Sequence, residues 1–114
     1  MNEEKAIRVY ASARIRDEDC TRPGMGDCEV TAVLEVVLAA GEELQGDPTV
    51  TVGGEKATVT EQGGSPTGGP GGPITHTYDI RRENVPCGQT HRIESQVYVV
   101  VPVSVTPVDV TCPD

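Results

Sequence analysis

The sequence predicts an all-β protein, a single antiparallel β-sandwich of about seven strands that is stapled by two disulfides. Three observations lead to this fold class. Apolar and polar residues alternate over most of the chain, glycines and prolines interrupt the alternation at short intervals, and four cysteines occur in a chain with no Phe and no Trp. A length of 114 residues fits one domain, residues 1–114, whose core must be built from small aliphatic side chains. Disulfides are the usual remedy for so thin a core.

The first two strands are predicted from their alternation. In residues 7–16 the odd positions from Ile7 to Ile15 are apolar, and the even positions are mostly polar or charged. This period of two is typical of a half-buried strand. Residues 28–38 alternate in the same way, but their second face also carries valines, which predicts a strand in the middle of a sheet.

A hairpin is predicted over residues 49–60. The glycines Gly53 and Gly54 separate two alternating segments, and a two-residue glycine loop suits a primed turn in which both residues take positive φ. The turn fixes the register. The expected pairs are Val52 with Glu55, Thr51 with Lys56, and Val50 with Ala57.

Residues 63–73 consist mainly of glycine and proline. Glycine loses the most conformational entropy on ordering, and proline lacks a backbone donor, so this segment is predicted to be a flexible loop within the domain. Alternation resumes from Ile74 to Arg81, which predicts a further strand.

The last third of the chain is rich in valine and is interrupted by Pro102 and Pro107. No Gly, Asn or Asp lies between Gln96 and Pro107 to form a tight turn. The sequence therefore predicts one long strand that bends at the prolines, rather than two strands joined by a sharp turn.

In the number and length of its predicted strands, the chain resembles the immunoglobulin-like modules of bacterial surface proteins, of the fibronectin type III or PKD kind. The resemblance is one of pattern over the whole chain. It implies an immunoglobulin-like sandwich that serves as a spacer, an adhesive unit or a coat component.

Cys20, Cys28, Cys87 and Cys112 allow three disulfide connectivities. Cys20 and Cys28 flank a short loop between strands that we expect to be antiparallel neighbours, so we expect these two to pair and Cys87 to pair with Cys112. Disulfides persist in oxidising compartments. Residues Met1–Lys5 are polar and charged, which predicts no signal peptide here. The expected location is extracellular or at the cell surface, with a leader absent or removed, or alternatively in a virion.

Metal binding is the competing use of these residues. Cys87 and His91 lie four apart and His76 lies upstream, but the closely spaced ligand pairs typical of structural zinc are missing. Calcium prefers several oxygen ligands from a rigid loop. The acidic loop around the first two cysteines offers four candidates, Asp17, Asp19, Asp27 and Glu29. Apart from calcium there, no cofactor is predicted.

The formal net charge of −9 argues against nucleic acid and against anionic membrane surfaces as partners. No apolar run reaches the length of a membrane span, so membrane insertion is not expected. No motif for an activated nucleophile is present, and the glycine-rich segment lacks the lysine of a phosphate-binding loop. These observations predict that the protein is not an enzyme.

The sequence thus predicts a non-catalytic structural or adhesion module whose partners are proteins, including copies of itself in an oligomer, filament or coat. Either terminal strand is a candidate for addition to the sheet edge of a neighbour. Two alternatives remain open: a virion decoration or tail-associated protein, and a calcium- or carbohydrate-binding module.

Overall fold

A computed structural model describes residues 12–39, 43–66, 74–99 and 102–114, and it has the predicted class: all-β, with two antiparallel sheets packed as a sandwich and two disulfides. The strands in these ranges are β1 Ser12–Thr21, β2 Cys28–Leu38, β3 Thr49–Val52, β4 Glu55–Lys56, β5 Thr58–Pro66, β6 Ile74–Val85, β7 Thr90–Tyr98, β8 Pro102–Ser104 and β9 Val108–Thr111. Because β8 and β9 lie end to end along the same side of β7, they count as one interrupted strand, which gives eight rather than about seven.

Sheet A has the strand order β1-β2-β6-β5, and sheet B has the order β4-β3-β7 with β8 and β9 beyond β7. The space between the sheets is filled almost entirely by Val, Ile, Leu and Ala side chains. Such a core excludes water by tight interdigitation of small groups rather than by large aromatic area. No helix in the described ranges is long and apolar enough to cross a membrane.

β2 is the central strand that its two apolar faces predict. It pairs with β1 on one side and with β6 on the other. Its even-numbered residues, from Cys28 to Leu38, are all buried in the core, and its odd-numbered residues are half-buried on the outer face of sheet A. Strict period-two burial of this kind follows from the pleat of the strand.

The predicted hairpin is confirmed in its register. Thr51 pairs with Lys56, and Val52 pairs with Glu55. Gly53 and Gly54 take φ values of 61° and 89°, as a primed turn requires. The third expected pair is Val50 with Ala57, and there the N–H of Ala57 donates to the carbonyl oxygen of Val50 at 3.0 Å. The chain then passes from sheet B into sheet A as β5.

The loop predicted at residues 63–73 is wrong for its first four residues. Residues 63–66 continue β5 and pair with residues 74–77 of β6, beyond an irregularity between Glu61 and Gly63. β6 supplies the backbone partners that make an extended glycine segment favourable, and Pro66 is tolerated because it ends an edge strand. The other residues of the predicted loop, 67–73, lie outside the described ranges.

The prediction of one long strand after residue 93 is also wrong. β7 and β8 are antiparallel, with Val97 opposite Val103 and Tyr98 opposite Pro102, so the chain reverses direction within three residues. No glycine is present in the connection. Val97 lies in β7 and Val105 follows β8, and both side chains are buried in the core. Their burial favours the reversal of the chain. The predicted interruption at Pro107 is present, between β8 and β9.

Two β-bulges change which face of the strand points into the core. In β1, Asp17 and Glu18 together face Ala32, and Asp17 has a φ of 56°. In β6, Glu83 and Asn84 together face one residue of β2, and Asn84 has a φ of 61°. Asp and Asn tolerate the left-handed conformation better than other non-glycine residues. Each bulge inserts one residue, so buried side chains on its two sides are separated by an odd number of positions.

The bulge in β1 turns Cys20 into the core, although Cys20 lies five residues after the buried Ile15. There it bonds to Cys112, which follows β9 of sheet B, while Cys28 bonds to Cys87 in the connection after β6. The expected pairing of Cys20 with Cys28 and of Cys87 with Cys112 is therefore wrong. Cys20 lies opposite Val30 rather than Cys28, so the two cysteines are offset by two positions along the hairpin.

The observed connectivity predicts the outcome of two double substitutions. The loops closed by the disulfides span 92 and 59 residues, and chain-entropy arithmetic gives the two bonds about 4.6 and about 4.2 kcal/mol. Cys20→Ser with Cys112→Ser removes the bond that closes the longer loop, so we expect the free energy of unfolding in urea to fall by about 4.6 kcal/mol. Cys20→Ser with Cys28→Ser breaks both bonds and should cost more. Under reducing conditions the chains should unfold at similar urea concentrations. Equal losses for the two oxidised variants would contradict this connectivity.

Candidate functional site

The sandwich has two different ends, which β2 joins. Cys28 begins β2 at the end where the disulfides lie, and Leu38 finishes it at the other end. At the Leu38 end the sheets leave an opening of about 400 Å³, which we call the acidic cavity. It is bordered by the ends of β2 and β6, by Glu61 of β5, and by the connection from Glu43 to Asp47.

The floor and walls of the acidic cavity are apolar. Leu38 is buried at its base, Leu44 packs against the core, and Ile74 remains 37% exposed. The connection that carries Leu44 is held to sheet B because the N–H of Gln45 donates to the carbonyl oxygen of Tyr98 at 2.9 Å. The cavity therefore has walls that can hold an aliphatic chain.

Three carboxylates, Glu43, Asp47 and Glu61, line the cavity. Glu61 has a partner, since its Oε2 lies 2.9 Å from Nδ1 of His76. The imidazole of His76 in turn lies parallel to the ring of Tyr78, with 6.5 Å between the ring centroids. Glu43 and Asp47 form no hydrogen bond or ion pair with any residue that the structure describes. The cavity is consequently rich in negative charge that its own side chains leave largely uncompensated.

Tyr78 is the one phenol that the described residues bring to the cavity, and it is only 3% exposed. Burial raises the pKa of Tyr78 to about 12, and the negative charges of Glu61 and Asp47 add to this rise. The hydroxyl group thus stays protonated well above neutral pH, and Tyr78 lines the cavity.

The four predicted calcium ligands lie at the opposite, disulfide-bonded end and are not brought together. Asp17 pairs with Arg16, and Glu29 pairs with Arg81. Asp19 accepts a hydrogen bond from the N–H of Cys20 at 2.9 Å. Asp27 is exposed beside a shallow depression that Glu29 also borders. Calcium binding by Asp17, Asp19, Asp27 and Glu29 stays a prediction.

Zinc does not fit the cysteines and histidines of the competing interpretation. Within the described ranges, the one group of three potential ligand atoms closer than 4.8 Å is the sulfur atoms of Cys20, Cys28 and Cys112, and all three are in disulfides. Cys87 is bonded to Cys28. His91, which sequence analysis leaves at the surface near a corner, is buried, and its Nε2 lies 2.9 Å from the carbonyl oxygen of Pro86.

Sequence analysis did not find the acidic cavity. Its residues come from four separate segments, and each segment has an ordinary composition. The available signal was the pair His76 and Tyr78, two polar side chains on the apolar phase of β6. Polar groups in such positions need a partner or an opening, and here they border an opening.

Comparison with known proteins gives no relative: no protein-family model, curated protein or solved structure matches this chain. The functional argument therefore depends on the geometry of the chain itself.

The raised pKa of Tyr78 predicts a loss of stability in alkaline solution. Between pH 10 and 12 the tyrosine of the unfolded chain loses its proton while Tyr78 of the folded chain keeps it, so the free energy of unfolding falls as the pH rises. We expect Tyr78→Phe to flatten this part of the stability profile, measured by urea unfolding at several pH values. Tyr98→Phe is the control, because it removes a phenol outside the cavity that is half-buried and donates to Gln96. Identical alkaline profiles for the parent and Tyr78→Phe would contradict the assignment.

Proposed function

We propose that the protein is a non-catalytic, immunoglobulin-like structural module that acts outside the cytoplasm and assembles with copies of itself. The observation that carries the assembly is that β5, an edge strand of sheet A, runs from Thr58 to Pro66 and pairs with β6 on one side alone in the described part of the chain. The disulfides and the strand order support the location and the type of module.

The two disulfides favour an oxidising compartment. Both lie at the same end of the sandwich, with Cys28 and Cys112 buried. Thiols in the cytoplasm are kept reduced, so a domain whose small core depends on two bonds between distant segments suits secretion or surface display.

The strand order supports an immunoglobulin-like module. Sheet A has the strand order of the A-B-E-D sheet of a constant-type immunoglobulin sandwich, with β1, β2, β6 and β5 in those places. Sheet B has the order of the C-F-G sheet, with β3, β7 and β8 in those places. β4 is then a two-residue addition to the edge of sheet B. Modules of this type act by presenting strands and loops to other proteins rather than by catalysis.

The sequence of the N-terminal segment supports self-assembly. In the described residues β1 pairs with β2 as far as Ser12, which lies opposite Val37. The apolar alternation of the sequence continues from Ala11 back to Ile7, outside the described ranges. A segment of strand-like sequence with one apolar face gains most by adding to the edge of another sheet.

β5 is the edge that best receives such a segment. β1 lies alongside β8 and β9, so the sandwich is closed at that side. β4 has two residues, whereas β5 runs from Thr58 to Pro66 and has a neighbour, β6, on one side alone in the described part of the chain. Addition of a strand there extends sheet A from one copy into the next.

The proposed location predicts the state of the cysteines in the producing cells or particles. Quenching in acid followed by alkylation with a maleimide should leave the chain without adducts, since both bonds are formed. Reduction before alkylation should give four adducts, which is the control for complete labelling. Four adducts without prior reduction would indicate a cytoplasmic protein and overturn the proposed location.

Self-assembly is tested by changing one face of the N-terminal segment in the full-length chain. We expect the parent chain to form oligomers in sedimentation velocity and Ile7→Gln with Val9→Gln, which removes the apolar face, to be monomeric. Arg8→Gln with Tyr10→Gln changes the opposite face of the same segment and should leave the oligomers intact. A monomeric parent chain over the accessible concentration range, or the same oligomers in all three chains, would rule out assembly through this segment.

A further inference from the structure

We propose that the disulfide-bonded end of the sandwich is a site of covalent attachment, at which the thiol of a partner protein displaces Cys28 from Cys87 and stays bonded to Cys87. The site lies at the end of β2 opposite to the acidic cavity. The proposal goes beyond assembly through sheet edges and does not depend on it.

The two disulfides lie side by side. The sulfur atoms of Cys20, Cys28 and Cys112 are all within 4.8 Å of one another. Cys20 and Cys112 are bonded to each other, whereas Cys28 is bonded to Cys87. The sulfur of Cys28 therefore belongs to one disulfide and lies beside both sulfur atoms of the other. Bonds placed in this way can exchange partners while the sheets stay packed, because exchange requires only that a thiolate reaches a disulfide sulfur.

Access to solvent differs between the cysteines. Three of the four are buried, and the exception is Cys87. It is half-buried in a turn whose other residues, Pro86, Gly88 and Gln89, are exposed. An attacking thiolate must reach the sulfur atom, so Cys87 is the point of attack. Cys28, which is only 1% exposed, is then the leaving group.

Attachment persists only when Cys28 is kept from attacking back, since its thiolate would return to Cys87 and expel the partner. The sulfur of Cys112, within 4.8 Å, offers Cys28 a different bond. Backbone contacts hold Cys112 in this place. Its N–H donates to the carbonyl oxygen of Gln89 at 2.9 Å, and the sulfur of Cys28 lies 3.7 Å from the carbonyl oxygen of Pro113. Cys28 is thus captured by the second disulfide.

Strand register decides which sulfur of the second disulfide Cys28 attacks. Cys20 lies opposite Val30, two positions from Cys28 along the paired strand. Diagonal neighbours of this kind are about 7–8 Å apart, whereas a disulfide joins Cα atoms less than about 7 Å apart. Cys112 follows β9, which pairs with β7, so the register of β2 does not set its distance from Cys28. Cys28 therefore bonds to Cys112, and Cys20 is expelled.

The exchange needs no oxidant or reductant besides the partner thiol. In the first step the partner thiolate bonds to the sulfur of Cys87, the Cys28–Cys87 bond breaks, and its electron pair leaves on Cys28. In the second step the Cys28 thiolate bonds to Cys112, the Cys20–Cys112 bond breaks, and its electron pair leaves on Cys20. Cys20 takes up the proton that the partner thiol lost. One disulfide within the chain and one to the partner replace the original two.

The first test treats the folded, oxidised chain with β-mercaptoethanol, a neutral monothiol that the net charge of −9 does not repel. The thiol concentration is kept where the circular dichroism of the folded chain is unchanged. Acid quenching, alkylation in denaturant and cleavage after Asp and Glu, which separates the four cysteines, precede mass spectrometry. We expect a thiol adduct on Cys87, a Cys28–Cys112 bond and an alkylated Cys20. No adduct, or adducts spread evenly over the cysteines, would overturn the proposal.

Two matched double substitutions separate the attack from the capture. Cys28→Ser with Cys87→Ser leaves only the buried bond, so we expect no adduct. Cys20→Ser with Cys112→Ser keeps the accessible bond but removes the capture, so the yield of adduct should fall roughly tenfold, because Cys28 returns to Cys87 at high effective concentration. Adducts at the parent's yield in the first variant would overturn attack at Cys87, and the parent's yield in the second would overturn the capture.

A time course on the parent chain covers the case in which a double variant does not fold. Because each capture fixes one adduct, the Cys28–Cys112 bond and the adduct on Cys87 should accumulate in equal amounts. The same treatment in urea, where the chain is unfolded, is the control and should scatter the adducts over the cysteines. An adduct on Cys87 that accumulates in the folded chain without the Cys28–Cys112 bond would overturn the proposed exchange.

Discussion

The two disulfides between distant segments are the constraint on which the rest of the fold depends. The core contains no Phe or Trp, and aliphatic side chains bury less area each than those residues do. Cys20–Cys112 ties sheet A to the end of sheet B, and Cys28–Cys87 ties the central strand to the connection that leads into β7. Each bond lowers the conformational entropy of the unfolded chain, so the folded state needs less free energy from hydrophobic burial to remain stable.

Covalent closure of one end makes the two ends of the sandwich unequal. At the disulfide-bonded end Val85 and both cysteines of β1 and β2 are buried, and the sheets are held close together. At the other end, the last residue of β2, the first residues of β6 and the connection from Glu43 to Asp47 border the acidic cavity. The opening in the sandwich therefore lies at the end of β2 opposite to the disulfides.

The predictability of each part depended on whether its cause is local. The hairpin around Gly53 and Gly54 was predicted residue by residue, because the turn and the alternation lie in one short segment. The disulfide connectivity was not, because it depends on bulges at Asp17 and Asn84 that reverse the phase of two strands, and alternation gives no sign of them. Residues 63–66 were assigned to a loop because their strand depends on a partner, β6, that composition does not reveal. The acidic cavity was missed for the same reason, since four segments that are distant in sequence meet there.

Self-assembly of this chain must also overcome its charge. Copies that each carry a formal charge of −9 repel one another at low ionic strength. Backbone pairing along an edge strand and burial of apolar side chains must overcome that repulsion. Salt screens the long-range repulsion between copies, whereas it changes buried backbone hydrogen bonds and apolar contacts little. Moderate salt should therefore strengthen assembly through sheet edges, whereas it would weaken an assembly that depended on exposed ion pairs.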